Sequence, residues 1–292
     1  MLAAALATMI GAASVDGDPA AAQTVSIAEL SQRTHIHGLA VDPGDATRLL
    51  VATHHGLFRT GPDGSAERIS PVQDFMGFTP HPVDAAILYA SGHPVDGGNL
   101  GFIASDDGGR SWTQISAGLD GPVDFHQMTV SRADPRTIYG AYGQLQVSRD
   151  AGRNWMAAGR PPARLIDLAA SAVDADTVYA ATETGLYVST DGGSSWHPLL
   201  RDGPVSLVEV TADGTLHAFV VGRGLVRASE PPIRFDTVSA DFGSGYLLHL
   251  AADPARPERL FAVNEEGRIV ASVDDGRSWR PFTGSLDTGA GQ

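Results

Sequence analysis

The sequence predicts an all-β fold, a single six-bladed β-propeller, and three observations carry that prediction. A phrase of the form Ser-x-Asp-x-Gly-x-(Ser/Asn)-Trp occurs four times, as SDDGGRSW at 105–112, SRDAGRNW at 148–155, STDGGSSW at 189–196 and SVDDGRSW at 272–279. Its first serines stand 43, 41 and 83 residues apart, and 83 is two such steps. A period near forty residues with one strand-turn-strand signature per period marks radially repeated four-stranded sheets. Apolar segments suited to the innermost strand of a blade recur in the same phase: 35–43, 75–82, 125–135, 165–171, 206–213 and 247–254, six in all. A seventh, incomplete blade is the alternative.

The elements follow in chain order. Residues 1–22 hold the apolar run LAAALATMIGAA, then Ala20-Ala21-Ala22 before Gln23, and read as a secretory signal peptide without its usual basic start. A run of that length is too short to span a bilayer. The mature chain is expected to begin near Gln23 and to be periplasmic or secreted. Residues 23–33 form an edge segment, in which 25–30 could add a strand closing the ring against the last blade. The propeller occupies 34–286, and 287–292 is a flexible tail.

Within each blade, the repeated phrase is expected to close the hairpin between the third and outer strands. Asp accepts backbone N–H bonds, Gly supplies positive φ, and Trp buries its ring with its N–H bonded to backbone. Asp107, Gly109 and Trp112, Asp150, Gly152 and Trp155, Asp191, Gly193 and Trp196, and Asp274, Gly276 and Trp279 are therefore structural. Blades one and five keep the period without the phrase, at Thr60–Ser65 and at Glu230-Pro231-Pro232. All these turns should lie on the face opposite the histidines.

Composition bounds the function. A net charge of −14 excludes a basic face for nucleic acid or anionic membrane, and the absence of cysteine excludes disulfides, thiolate nucleophiles and thiolate metal sites.

The four phrases resemble the Asp-box, or BNR repeat, of sialidase-like propellers. The same box occurs in sortilin-type receptor ectodomains, photosystem II assembly propellers and bacterial proteins labelled glycosyl hydrolase. The resemblance covers roughly residues 34–284 and implies the fold; enzymes and pure binding modules share it. A sialidase would be expected to show an Arg-Ile-Pro phrase, three arginines converging on a carboxylate, a Tyr nucleophile paired with Glu, and an Asp acid. Arg-Ile-Pro is absent, and only Arg33 and Arg164 lie at the start of an innermost strand. Tyr246 and Glu209 match the Tyr/Glu pair, and Asp74 or Asp124 the acid, by residue type alone.

Seven of the ten histidines lie between residues 35 and 126. When the innermost strands are aligned on Leu39, Phe78, Met128, Leu168 and Leu250, the position two residues earlier holds His37, Met76, His126, Ile166 and Leu248. Four residues earlier stand His35, Asp74, Asp124, Arg164 and Tyr246. Alternation along a strand then predicts one layer of His37, Met76 and His126 and a second of His35, Asp74 and Asp124, with the opposite half of the ring mostly apolar. His54 and His55 sit in the corresponding loop of blade one, and His93 opens a longer loop, GHPVDGGNL, that could fold over the mouth. His197, His217 and His249 are expected to fall outside the cluster.

Imidazole and thioether together suit copper or zinc. The expected function is an exported, non-catalytic binding propeller with a histidine-rich mouth for copper, zinc or a small polar ligand. A glycoside hydrolase and a protein-interaction module are the alternatives, and the site residues also admit a channel with no specific ligand.

Overall fold

The computed structural model describes residues 23–231 and 234–286; the signal peptide and tail expected at 1–22 and 287–292 lie outside them. The described residues form six antiparallel sheets around a central channel, and each sheet takes its four blade strands from one contiguous stretch of chain. The innermost strands are Ile36–Val41, Asp74–Pro80, Gln127–Val130, Leu165–Ala170, Val205–Val210 and Leu247–Asp253. The ring closes with six blades, not seven. No described helix is long and apolar enough to cross a membrane.

Strands follow one another outward from the axis, so loops open alternately on the two faces. The start of each innermost strand and the loop between second and third strands share the histidine face. The turns between third and outer strands share the other.

The repeated turns have one construction. In blade two, the Ser105 hydroxyl donates to Asp107 Oδ1 (2.8 Å) and accepts from the Gly109 amide (2.8 Å). Asp107 Oδ1 also accepts the amides of Arg110 and Ser111, and the Ser111 hydroxyl donates to Oδ2. Blades three, four and six repeat the pattern. Hydrogen bonds from Asn154, Ser195 and Ser278 hold Asp150, Asp191 and Asp274 at about 2. The tryptophan N–H donates to a glycine carbonyl in three boxes. Trp196 is the exception: its ring, like that of Trp279, is only partly buried, and its N–H alone has no partner.

Each box also clamps its blade to the one before. A Cβ on Gly109 would lie 2.5 Å from Leu57, one on Gly152 2.0 Å from Phe102, one on Gly193 2.5 Å from Leu145, and one on Gly276 2.5 Å from Leu225. The glycine is therefore selected by the approach of the neighbouring blade as well as by its positive φ.

Two junctions lack a box. Between blades four and five, Glu230 accepts bonds from the Tyr179 hydroxyl and the Ala172 amide, both 2.8 Å. Between blades six and one, the 23–33 segment does the work, but not as expected. Thr24–Ser26 pairs with the outer strand of blade one, Ser65–Arg68, instead of closing against the last blade. A helix, Ile27–Arg33, follows, because Ser26 and Glu29 form a reciprocal capping box. Its buried Ile27 and Leu30 join one cluster with Phe58 of blade one and Phe261 and Val263 of blade six. The segment seals the seam by packing, not by strand pairing.

Candidate functional site

The first innermost strand, the loop between the second and third strands of blade one and the start of the innermost strand of blade two bring three side chains together. His37 Nε2 lies 3.1 Å from both ring nitrogens of His54, His54 Nδ1 lies 2.8 Å from Asp74 Oδ2, and His37 Nε2 lies 3.7 Å from Asp74 Oδ1. One ligand atom from each falls within 4.8 Å of the others. Asp74 Oδ1 is buried and has no hydrogen-bond partner. Burial pushes His37 down to about 4, against the pull of Asp74, and the His54, His249 and His35 rings push the same way. His37 is thus a neutral imidazole at pH 7. His35 and His55 flank the site, with ring centroids 5.6 and 6.5 Å from that of His54.

A second cluster stands one blade on. Asp124, buried at 3% exposure, receives His93 Nε2 at 2.9 Å and His126 Nε2 at 2.8 Å on the same oxygen. His93 Nδ1 is held by the Gly98 carbonyl (2.8 Å), so the loop from 94 to 99 folds back on its first histidine. The Gly98 bond is the largest influence raising the pKa of His93, with Asp124 and Asp74 adding to it. Asp74 and His93 face each other across the first two strands of blade two, which links the clusters.

The match to known proteins follows the boxes. The BNR/Asp-box repeat family model matches residues 187–198, the box of blade four. The chain is an Asp-box β-propeller. Similar solved structures include a GH74 enzyme from Niastella koreensis, at 14% identity and a TM-score of 0.58, over 85% of this chain and 45% of that one. A GH74 xyloglucanase from Xanthomonas campestris is 20% identical with a TM-score of 0.56, over 89% and 47%. YCF48 from Cyanidioschyzon merolae is 18% identical with a TM-score of 0.51, over 88% and 87%. The propeller spans less than half the length of the two GH74 enzymes. At these identities the likeness shows the fold. No curated protein sequence matches the chain.

The Asp-box propeller departs from strict alternation where the histidines meet the channel. The channel is a cavity of about 210 Å³ walled by all six innermost strands, with His37, His126 and His249 among its lining residues. Met76 is not part of that wall: Gly77 and Phe78 build it in blade two, while Met76 is buried opposite Ser91. His249, expected outside the cluster, lines the channel and sits close enough to lower the pKa of His37; its Nε2 bonds the Ile36 carbonyl at 3.2 Å. The far side of the channel is not simply apolar either, because Asp167 and Glu209 line it. Five of the six innermost strands carry a register shift near this level, for example between Leu165 and Asp167 and between Leu247 and His249. A bulge changes which residues face the axis, and period-two counting does not detect it.

Burial raises Asp167 to about 8, opposed by the Val208 and Leu168 amides that donate to its oxygens, and raises Glu209 to about 7, opposed by Arg132. Tyr246 and Glu209 do not form a pair. Val208 and Leu250 share one register position, opposite Ala218 and Ala262, which puts Tyr246 five residues up-strand of the level of Glu209. Five strand steps are roughly 15 Å. Arg164 is 80% exposed and bound to Glu183, and Arg33 is bound to Glu29, so neither joins an arginine cluster. His197 is exposed on an outer strand, and His217 is buried beside Asp275.

Proposed function

We propose that this Asp-box propeller is an exported binding protein that takes up a divalent transition-metal ion, zinc or copper, at its histidine mouth, with His37, His54 and Asp74 as ligands. The observation that carries the reading is the convergence of ligand atoms from these three residues, at a carboxylate whose Oδ1 is buried and lacks a hydrogen-bond partner. Tetrahedral zinc with bonds of about 2.0–2.1 Å holds its ligand atoms about 3.3 Å apart. The separations of 2.8 to 3.7 Å, taken over both oxygens of Asp74, bracket that value. His37 is already in the neutral form that coordinates, so no proton has to leave it at pH 7.

The channel supports binding over glycoside hydrolysis. Its volume of about 210 Å³ is below that of ordinary small-molecule pockets, roughly 300–1,000 Å³, and an oligosaccharide needs more.

The test is zinc or copper titration of protein purified without an affinity tag, read by calorimetry and by thermal unfolding. At an ion concentration 100 times Kd, binding to the folded ring alone adds about 2.7 kcal/mol. That corresponds to a rise of roughly 5–10 °C in Tm. His37→Ala and Asp74→Asn should each reduce the rise, and His197→Ala should keep it in full. An unchanged Tm with no heat of binding would refute the proposal.

A further inference from the structure

We infer that the mouth binds a second transition-metal ion, held by Asp124, His93 and His126, so that the propeller carries two ions in adjacent blades. The inference rests on the metal reading of the first site but on different residues.

The geometry at His93 calls for added positive charge, either a second proton on the ring or a metal ion beside it. Its Nδ1 faces the Gly98 carbonyl at 2.8 Å, and a carbonyl only accepts, so Nδ1 carries the hydrogen. In the neutral ring, Nε2 then aims a lone pair at Asp124 Oδ2, 2.9 Å away, acceptor against acceptor. His126 brings a second Nε2 to within 2.8 Å of the same oxygen. Asp124 is 3% exposed, and its other oxygen, Oδ1, is buried with no hydrogen-bond partner. A buried carboxylate left half-satisfied is costly unless a positive charge meets it. A divalent ion between the two imidazoles and the carboxylate removes the clash and supplies that charge. The two contacts to Asp124 Oδ2 need to open by about half an ångström, and the two imidazole nitrogens, which stand more than 4.8 Å apart, must close on each other to reach the ligand spacing of tetrahedral zinc. His126, whose side chain is 63% exposed, has room to turn toward it.

The second cluster is built independently of the first. Asp124 precedes the innermost strand of blade three and His93 ends the second strand of blade two, whereas His37 and His54 belong to blade one. The sites touch through the cross-strand pair of Asp74 and His93. An ion at Asp124 would also fix the loop from 94 to 99, because His93 holds Gly98.

The experiment counts ions. Zinc titration of the full chain, with metal content after gel filtration, should give two ions per wild-type chain. Asp124→Asn and His126→Ala should each leave one, as should Asp74→Asn, which empties the other site. Cobalt(II) should show the same stoichiometry by its visible absorption. The second ion should slow amide exchange in residues 94–99, an effect lost in His126→Ala, whose exposed side chain leaves the fold intact. A single wild-type ion that is lost in Asp74→Asn and kept in Asp124→Asn would overturn this inference and leave the first site standing. It would mean that a proton, not a metal, bridges His93 and Asp124. Two ions retained in both Asp124→Asn and His126→Ala would also overturn it, and no ion in the wild type would remove both sites together.

Discussion

The clamping of blades by box glycines predicts a difference between two glycines of the same blade. Gly152 and Gly143 both have positive φ, 81° and 68°. An alanine Cβ at Gly143 meets nothing within 4 Å, whereas at Gly152 it would stand 2.0 Å from Phe102 Cε1 and 2.4 Å from Cδ1. The left-handed backbone alone costs an alanine about 1–2 kcal/mol. Ala151 already accepts that conformation, at φ 59°, inside the same turn. Displacing a fully buried phenylalanine ring adds overpacking of about 1–3 kcal/mol. Gly143→Ala should therefore cost about 1–2 kcal/mol and Gly152→Ala about 2–5 kcal/mol. Urea unfolding followed by tryptophan fluorescence measures both. Equal losses, within about 0.5 kcal/mol, would show that inter-blade contact does not select the box glycine.

Two further outcomes follow from burial. Glu209 is held protonated in the folded channel up to about 7, while an unfolded glutamate loses its proton near its ordinary value of about 4.3. Its contribution to stability is therefore full below about 4.3 and declines as pH rises through 7. Glu209→Gln should flatten the fall in Tm between pH 5 and 8, and parallel profiles would contradict the assignment. Leu30, 2% exposed at the seam between blades six and one, should cost about 2–4 kcal/mol when truncated to alanine. A loss below about 1 kcal/mol in chemical denaturation would mean that the helix is not needed to seal the ring.

The fold was legible because its signals are local and repeated. Ser, Asp, Gly and Trp at fixed offsets specify one hairpin turn, and four copies at one period leave little freedom for the sheets between them. The helix at 27–33 is harder to see, since seven residues carry little periodicity and the Ser26–Glu29 capping box lies within a segment whose apolar residues also suit a strand. The site was legible in part. Asp74, Asp124, His93 and His126 stand at the mouth because their positions relative to the innermost strands were countable. Met76 and His249 were misplaced, and Asp167 escaped notice on a side read as mostly apolar, because bulges reset the facing of the strand within a residue or two. His54 takes a central place that alignment of innermost strands alone gives no means to assign, since it comes from a loop.

The six blade junctions also have a mechanical meaning. Glycine clamps fasten blade one to two, two to three, three to four, and five to six, while the remaining two junctions use Glu230 and the N-terminal helix. The ring is thus two arcs, one of four blades and one of two, joined at two chemically different seams. All the histidines proposed as ligands ride on the larger arc, so neither box-free seam falls between them. Asp167 and Glu209 lie on opposite sides of one seam, and the bond from the Val208 amide to Asp167 crosses it. A substitution that loosens that seam would therefore act on the wall of the channel before it acts on the mouth.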